Sequence, residues 1–185
     1  MNHMNTQSHL LEMLAPLKSY HPKELHVREM RTSAVLIPIV NRQNNQLVFT
    51  LRSQNLTHHP GQISFPGGRI EENETSWDAA VREAEEEIGL PPTSVRNLGQ
   101  LDDVYSPRGF HIQCFAGLVE EFQPVLNEQE VERLVCVDLD ELFDDNLHEV
   151  KPWHGYSVHY FNFKEGLVWG VTGQITYFLR QALRP

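Results

Sequence analysis

The chain is short of cysteine, of long apolar runs and of basic residues, and each shortage narrows what it can be. Its 185 residues hold 2 cysteines, too few for a disulfide framework or for the paired spacing of a zinc site. Cys114 and Cys136 both stand inside apolar runs, where a thiol behaves as a small hydrophobe, so both are expected in the core. The longest apolar stretches, residues 34–40 and 167–171, fall far below the roughly 18 residues of a membrane-spanning helix, so no membrane partner is expected. From His9 to Tyr20 the chain is mixed amphipathic, with Glu12 and Lys18 interspersed. That is not the basic-then-apolar order of a secretory leader, and a cytoplasmic location is expected. Lysine and arginine total 15 against 25 acidic residues, a formal net charge of −10. Nucleic-acid binding relies on basic stripes that neutralise phosphates, so nucleic acid is not expected as a partner. Any phosphate substrate must be met locally, by bound metal and by arginines beside motifs or glycine turns, namely Arg52, Arg69 and Arg108.

What is present fits one globular domain. Residues 33–40 and 46–52 are β-rich runs joined by the polar stretch Asn41 to Asn45, the pattern of a hairpin. Further strands are expected at 96–104, 111–119, 132–137 and 157–163, with turn-rich pieces such as Ser106-Pro107-Arg108-Gly109 between them. Residues 138–143 suit a short helix. Ile175, Phe178, Leu179 and Leu183 recur at helical spacing within 172–183, which suits a helix packed on the sheet. Interspersed strands and helices give an α/β (α+β) class. Residues 1–30 are expected as a helical extension that caps the domain or mediates contacts in a homodimer, with 31–185 as the main domain.

The densest chemistry lies between Gly68 and Leu90. Thr75 with Asp78 three residues on reads as a capping box, and Gly89 as the end of the same helix, over 76–88. At about 100° per residue Trp77, Ala80, Val81, Ala84 and Ile88 share one stripe, while Glu83, Glu86 and Glu87 cluster on another. Like charges three or four apart cost roughly 0.2–0.5 kcal/mol per pair, and Arg82, four before Glu86, offers local relief. Hard divalent ions take such carboxylates together with substrate phosphates. The bland alternative is a solvated charged face. Phe65-Pro66-Gly67-Gly68 just ahead argues against it, because a tight glycine turn brings backbone amides and carbonyls beside the helix carboxylates.

Gly68, Glu74, Arg82, Glu83, Glu86, Glu87 and Gly89, with Ala84 and Leu90 at the small and apolar places, resemble the complete Nudix box. The resemblance implies an α/β/α sandwich with a mixed β-sheet between helices, and Mg²⁺- or Mn²⁺-dependent hydrolysis of a diphosphate. By that resemblance Glu83, Glu86, Glu87 and the Gly67 carbonyl are the metal ligands. Arg82 holds the glutamates in place, Glu74 braces the loop, and Glu86 or Glu130 is the general base.

Upstream, residues 48–68 resemble the coenzyme A diphosphatase signature through Thr50, Arg52, Ser53, Gly61 and the Phe-Pro-Gly-Gly turn, with Val48 and Phe49 in place of two leucines. The resemblance continues through Ser106 to Phe110, Glu130-Val131-Glu132 and Val168 to Thr172. It implies cleavage of coenzyme A to 4′-phosphopantetheine and adenosine 3′,5′-bisphosphate, with Arg52, Ser53, Gly61, Phe65, Gly67, Gly68 and Arg69 at the substrate. One departure stands at Thr57, where that pattern often has arginine, since a hydroxyl does not replace a bidentate guanidinium. Another diphosphate substrate, such as ADP-ribose, a dinucleotide or a nucleoside triphosphate, is the nearest alternative, and a catalytically silent binding module is a further one. Trp169 is expected as a core aromatic rather than a ligand-stacking residue. His58 and His59 are expected as loop residues, since neighbours on an extended segment face opposite ways.

Overall fold

The structure, a computed structural model, describes residues 9–25, 30–41, 45–106 and 109–184. The turn at 42–44 and the motif residues Pro107 and Arg108 lie outside them. Strands β1 (Arg31–Val40) and β2 (Gln46–Arg52) are followed by the short β3 (Ile63–Ser64) and β4 (Gly67–Arg69), then by helix α1 (Ser76–Ile88). Strands β5 (Val95–Ser106), β6 (Phe110–Val119) and β7 (Val131–Asp138) complete the main sheet. A three-stranded sheet of β8 (His148–Trp153), β9 (Tyr156–Phe163) and β10 (Gly166–Trp169) precedes helix α2 (Gly170–Leu183). Residues 138–143, expected as a short helix, hold a 3₁₀ helix over Leu139–Phe143.

One topological detail positions everything functional. β1 and β2 pair antiparallel only at their hairpin end, Ile39 with Leu47 and Val40 with Gln46, and then diverge. Into the opening fork β2 takes β3 as a neighbour at Thr50 and Leu51, while β1 takes β4 at Ser33, Ala34 and Val35. The Phe65-Pro66 link between them is clamped in the fork, with the Leu36 amide donating to the Pro66 carbonyl at 3.0 Å. On its other side β1 pairs in parallel with β6, which makes the sheet mixed. Sequence periodicity missed β3, β4, β8 and β10. The first two are too short to show a period, and β4 is mostly glycine. β8 is an edge strand with charges and Pro152, and β10 runs into α2.

Helix α1 forms where its caps demand. The Thr75 hydroxyl accepts from the Asp78 amide at 3.2 Å, the Asp78 carboxylate accepts from the Thr75 amide at 3.4 Å, and Gly89 ends the helix in the left-handed region at φ 68°. Ala79, Ala80, Ala84 and Ile88 pack on Ala34, Leu36, Val48 and Phe115 of the sheet, the alanines allowing close approach. Trp77 is only half-buried, edge-on to Phe115 at 5.8 Å. The opposite face of the sheet carries α2 and a second core, which Leu10, Leu14 and Leu17 of the N-terminal segment join. Two expectations need correction. Trp169 is not in the core but 43% exposed, stacked parallel on Tyr160 at 6.1 Å, because β10 turns it to the outer face while Val168 points inward. Cys114 is fully buried, whereas Cys136 is half-buried on the α1 side.

Beneath α2 two histidines share a hydrogen bond, His148 Nε2 to His159 Nδ1 at 2.9 Å, and His159 stacks on Tyr177 at 3.9 Å. Burial first, then the His148 charge, pushes His159 down to about 4. A depressed histidine contributes its full stability above the ordinary value near 6.5 and loses it as pH falls toward 4. Denaturant midpoints are therefore expected to drop between about pH 6.5 and 4, and His159→Gln to flatten that slope. Leu14→Ala is expected to cost about 2–5 kcal/mol in urea unfolding, as for other fully buried leucines.

Candidate active site

The site grows from Arg82. All five N–H donors of its guanidinium are engaged: Nε and Nη2 donate to the two oxygens of Glu74 at 3.1 and 2.9 Å, Nη2 also to the Arg69 carbonyl at 2.9 Å, and Nη1 to Glu83 at 3.0 Å and Glu86 at 3.2 Å. Glu74 in turn accepts the Glu71 amide at 2.6 Å. One side chain thus joins the loop after β4 to two successive turns of α1. Its guanidinium holds the Glu74 carboxyl below the usual carboxylate range.

Glu83 lies across Gly68 so closely that a Cβ on that glycine would occupy the carboxylate's place. Gly67 is needed for another reason. Its φ is +158°, and a Cβ there would strike the backbone of Ala34 and Val35 inside the fork. Burial, outweighing the nearby Arg82, raises the Glu83 carboxyl above its ordinary value.

Glu87 departs from the simple picture of an acidic outer stripe, since it is only 4% exposed. It sits in the seam between α1 and the fork, turned in toward the Gly67 backbone, while Ala84 and Ile88 of the same stretch of helix fill the core beside it. Burial first, then the charge of Glu83, pushes its carboxyl up to about 8, with Glu130 adding to the rise. Arg52 and a hydrogen bond from the Gly67 amide act the other way. Glu87 Oε2 is buried and has no hydrogen-bond partner among the described residues, and neither has Arg52 Nε. A carboxyl raised this far ionises fully at neutral pH only when a further positive group arrives beside its orphaned oxygen, so this is a place suited to one. A hard cation suits the donors, which are all oxygen. Among the described residues no three histidine, cysteine, aspartate or glutamate side chains already converge in a ready-made metal shell. Glu83 and Glu86 are instead turned onto Arg82.

Arg52 arrives here by a bulge, as the β2–β7 register shifts between Leu51 and Arg52. Glu130 arrives on the tight turn before β7, with its carbonyl accepting the Ser53 amide at 2.8 Å. The fold therefore brings Gly67, Gly68, Glu74, Arg82, Glu83, Glu86, Glu87, Arg52 and Glu130 together. Three residues expected at the substrate are placed otherwise. The Phe65 ring stacks on Phe49 at 4.3 Å and is buried in the core on the α2 side, because the fork turns it away from α1. Ser53 is 5% exposed and its hydroxyl accepts the Asn55 amide at 3.4 Å, which makes it a turn former. Gly61, at φ +66°, closes the same loop by donating its amide to the Arg52 carbonyl at 3.0 Å. Arg69 offers its carbonyl to Arg82 while its side chain is exposed. His58 and His59 are exposed loop residues, and His59 Nδ1 meets Gln62 Oε1 at 2.7 Å. Sequence reasoning missed Asn127, which ties the turn of Glu130 to α1. Only its place three residues before Glu130, the spacing of an Asx-type turn, signalled it.

A family model of the NUDIX domain matches residues 30–161. The chain is 35% identical over 161 residues to an uncharacterized Nudix hydrolase NudL of Pectobacterium atrosepticum, covering 83% of each. It is 36% identical over 157 residues to the NudL of Escherichia fergusonii, covering 78% of this chain and 79% of the relative. Among solved structures, a MutT/nudix family protein from Enterococcus faecalis superposes with TM-score 0.53 at 14% identity, over 98% of this chain and 70% of the other. A Caenorhabditis elegans Ap4A hydrolase superposes with TM-score 0.51 at 14% identity, over 58% and 80%. The Nudix domain of Shewanella oneidensis NrtR complexed with ADP ribose gives 0.50 at 20% identity, over 71% and 84%. These structural likenesses bear on the fold.

The chain belongs to the Nudix family. It has the mixed α+β Nudix fold and is a hydrolase acting on pyrophosphate bonds; enzymes of this family generally use divalent metal ions. Among the described residues no helix is long and apolar enough to cross a membrane.

Substitutions at the two glycines are expected to separate stability from ion binding. Gly68→Ala is expected to displace only the flexible end of Glu83, leaving the melting temperature within a few degrees while weakening Mn²⁺ binding at least about tenfold by calorimetry. Gly67→Ala is expected to lower the melting temperature markedly, because the backbone of β1 must move.

Proposed function

We propose that this enzyme hydrolyses the diphosphate linkage of coenzyme A or a derivative of it, releasing 4′-phosphopantetheine and adenosine 3′,5′-bisphosphate. The observation that carries the reading is Arg52. It belongs to the signature of residues 48–68, and its side chain reaches the carboxylate cluster with a buried, unpartnered Nε. A cation held ready beside metal-binding glutamates suits a phosphate oxygen.

In this reading Glu83, Glu86, Glu87 and the Gly67 carbonyl hold Mg²⁺ or Mn²⁺. Such an ion, when bound, supplies positive charge to the diphosphate oxygens and acidity to water. Arg82 gathers Glu83 and Glu86 side by side, from where they would turn to the ion, and Glu74 with the Arg69 carbonyl keeps Arg82 in place. Arg52 and the exposed Arg69 meet the substrate's phosphates. Ser53 and Gly61 act indirectly, by fixing the loop from which Arg52 extends. A water oxygen attacks one phosphorus, its proton passes to the Glu130 carboxylate, and the bridging P–O bond breaks with its electron pair leaving on the other phosphate. Glu86 is the alternative proton acceptor. A cytoplasmic location and a homodimeric form belong to the same reading, to be checked by fractionation and sedimentation.

A second substrate reading is favoured by Thr57, which provides no guanidinium where the coenzyme A signature often has one. ADP-ribose or another nucleoside diphosphate derivative then replaces coenzyme A at the same site, in line with the ADP ribose complex of the NrtR Nudix domain. Purified protein with Mg²⁺ or Mn²⁺ is expected to cleave coenzyme A to 4′-phosphopantetheine with the highest kcat/KM in a mass-resolved panel of coenzyme A, its disulfide, ADP-ribose, NADH and nucleoside triphosphates. Chelator should abolish turnover. A higher kcat/KM for ADP-ribose moves the assignment to the second reading. Glu86 is well exposed, its side chain 58% accessible, so Glu86→Gln should leave the fold intact while lowering kcat at least about 100-fold.

A further inference from the structure

The turn that carries Glu130 is held to the acidic end of α1 by one residue outside the Nudix box. The Asn127 amide donates to the Glu87 carbonyl at 3.0 Å, and the Asn127 carbonyl accepts the amides of Glu130 at 2.9 Å and Val131 at 2.8 Å. Its side chain closes the turn from within. Asn127 Oδ1 accepts the Gln129 amide at 3.2 Å, which leaves the Nδ2 group facing the Glu130 carboxylate, at 3.4 Å from Oε1. Catalytic hydrogen bonds of this length commonly tighten once substrate is bound.

We propose that Asn127 is a positioning residue, whose side-chain amide aims the Glu130 carboxylate at the water attacking beside Glu83 and Glu87. This rests on the proton-accepting role of Glu130 proposed above. The geometry separates two tasks. The main chain of Asn127 fastens the turn to the helix that carries Glu87, and these bonds survive any side-chain change except proline. Within the side chain, Oδ1 closes the turn on Gln129 and Nδ2 selects the direction of Glu130. Without it the carboxylate remains near the site but samples other rotamers, some turned toward Arg52, and the fraction of time spent at the reacting water falls.

The test is a double-mutant cycle with Asn127→Ala, Asn127→Asp and Glu130→Gln, reading kcat, KM, Mn²⁺ affinity and melting temperature. Asn127→Ala is expected to lower kcat about tenfold, in keeping with loss of one hydrogen bond to a charged group, at unchanged KM and Mn²⁺ affinity, with the melting temperature at most a few degrees lower because the Gln129 amide also loses its acceptor. Asn127→Asp, which keeps the acceptor for Gln129 but faces Glu130 with a like charge, is expected to lower kcat further. In the Glu130→Gln background neither substitution should reduce kcat again. A kcat loss that multiplies fully with that of Glu130→Gln, or that is absent from Asn127→Asp, which keeps the bond to Gln129, assigns Asn127 a structural role and overturns the proposal. So does wild-type turnover in both Asn127 variants. If Glu130→Gln itself retains wild-type kcat while the parent protein is active, the role of Glu130 fails and Asn127 has nothing to aim. A parent protein that cleaves no diphosphate with metal overturns the functional reading before any variant is made.

Discussion

Three glutamates within two turns of one helix repel each other, and the arrangement of α1 and its surroundings is organised by that repulsion. Arg82 answers part of it, spending every donor of its guanidinium on Glu74, Glu83, Glu86 and the Arg69 carbonyl. Because a planar fork satisfies five acceptors at fixed angles, it fixes the loop after β4 and the helix relative to one another. Lysine, a point charge on a flexible stem, would leave several of these acceptors without a partner. What Arg82 does not answer is Glu87, buried in the seam with one oxygen unpaired. The folded chain therefore carries a local demand for positive charge that its own residues meet only in part.

The divergence of β1 and β2 puts that demand in one place. Strands that stay paired present a closed row of hydrogen bonds. Strands that separate leave backbone groups to be satisfied by something else, and here β3, Pro66 and β4 supply them. The insertion explains why two adjacent glycines have different physical reasons. Gly67 is confined by the backbone of β1, whereas Gly68 leaves room for a carboxylate arriving from α1. Backbone and acid thus meet without an intervening side chain, as phosphate chemistry requires of a site that works by charge and position.

How much of this was legible in the sequence depended on whether the determining chemistry was local. Helix α1 was legible to the residue, because Thr75, Asp78 and Gly89 specify both ends through contacts within a few residues. β2 was legible for a similar reason, as a β-rich run bounded by polar turns. The clustering of Glu83, Glu86 and Glu87 followed from helical period, but the burial of Glu87 did not, since it depends on where α1 crosses the sheet. Phe65 was misplaced because its direction is set by a fork formed with strands far away in sequence. Trp169 was misplaced because β10 alternates in and out while its apolar run does not. The meeting of Arg52 with Glu130 rests on a bulge and a turn, neither of which leaves a periodic trace. Asn127 gave almost no signal, since its importance lies in which helix its amide reaches.

The capping of α1 by Gly89 has an electrostatic consequence. A helix aligns its peptide dipoles so that the carboxyl end carries about half a negative charge. Basic residues in the last turn would offset this; α1 has none there, and has Glu85, Glu86 and Glu87 instead. Amides from the chain beyond β6 satisfy the hydrogen bonds of the Ile88 and Glu87 carbonyls but add no net charge. The dipole and the acidic side chains therefore act in the same direction, and a cation settling at this end is attracted by the helix as a whole as well as by the groups that touch it.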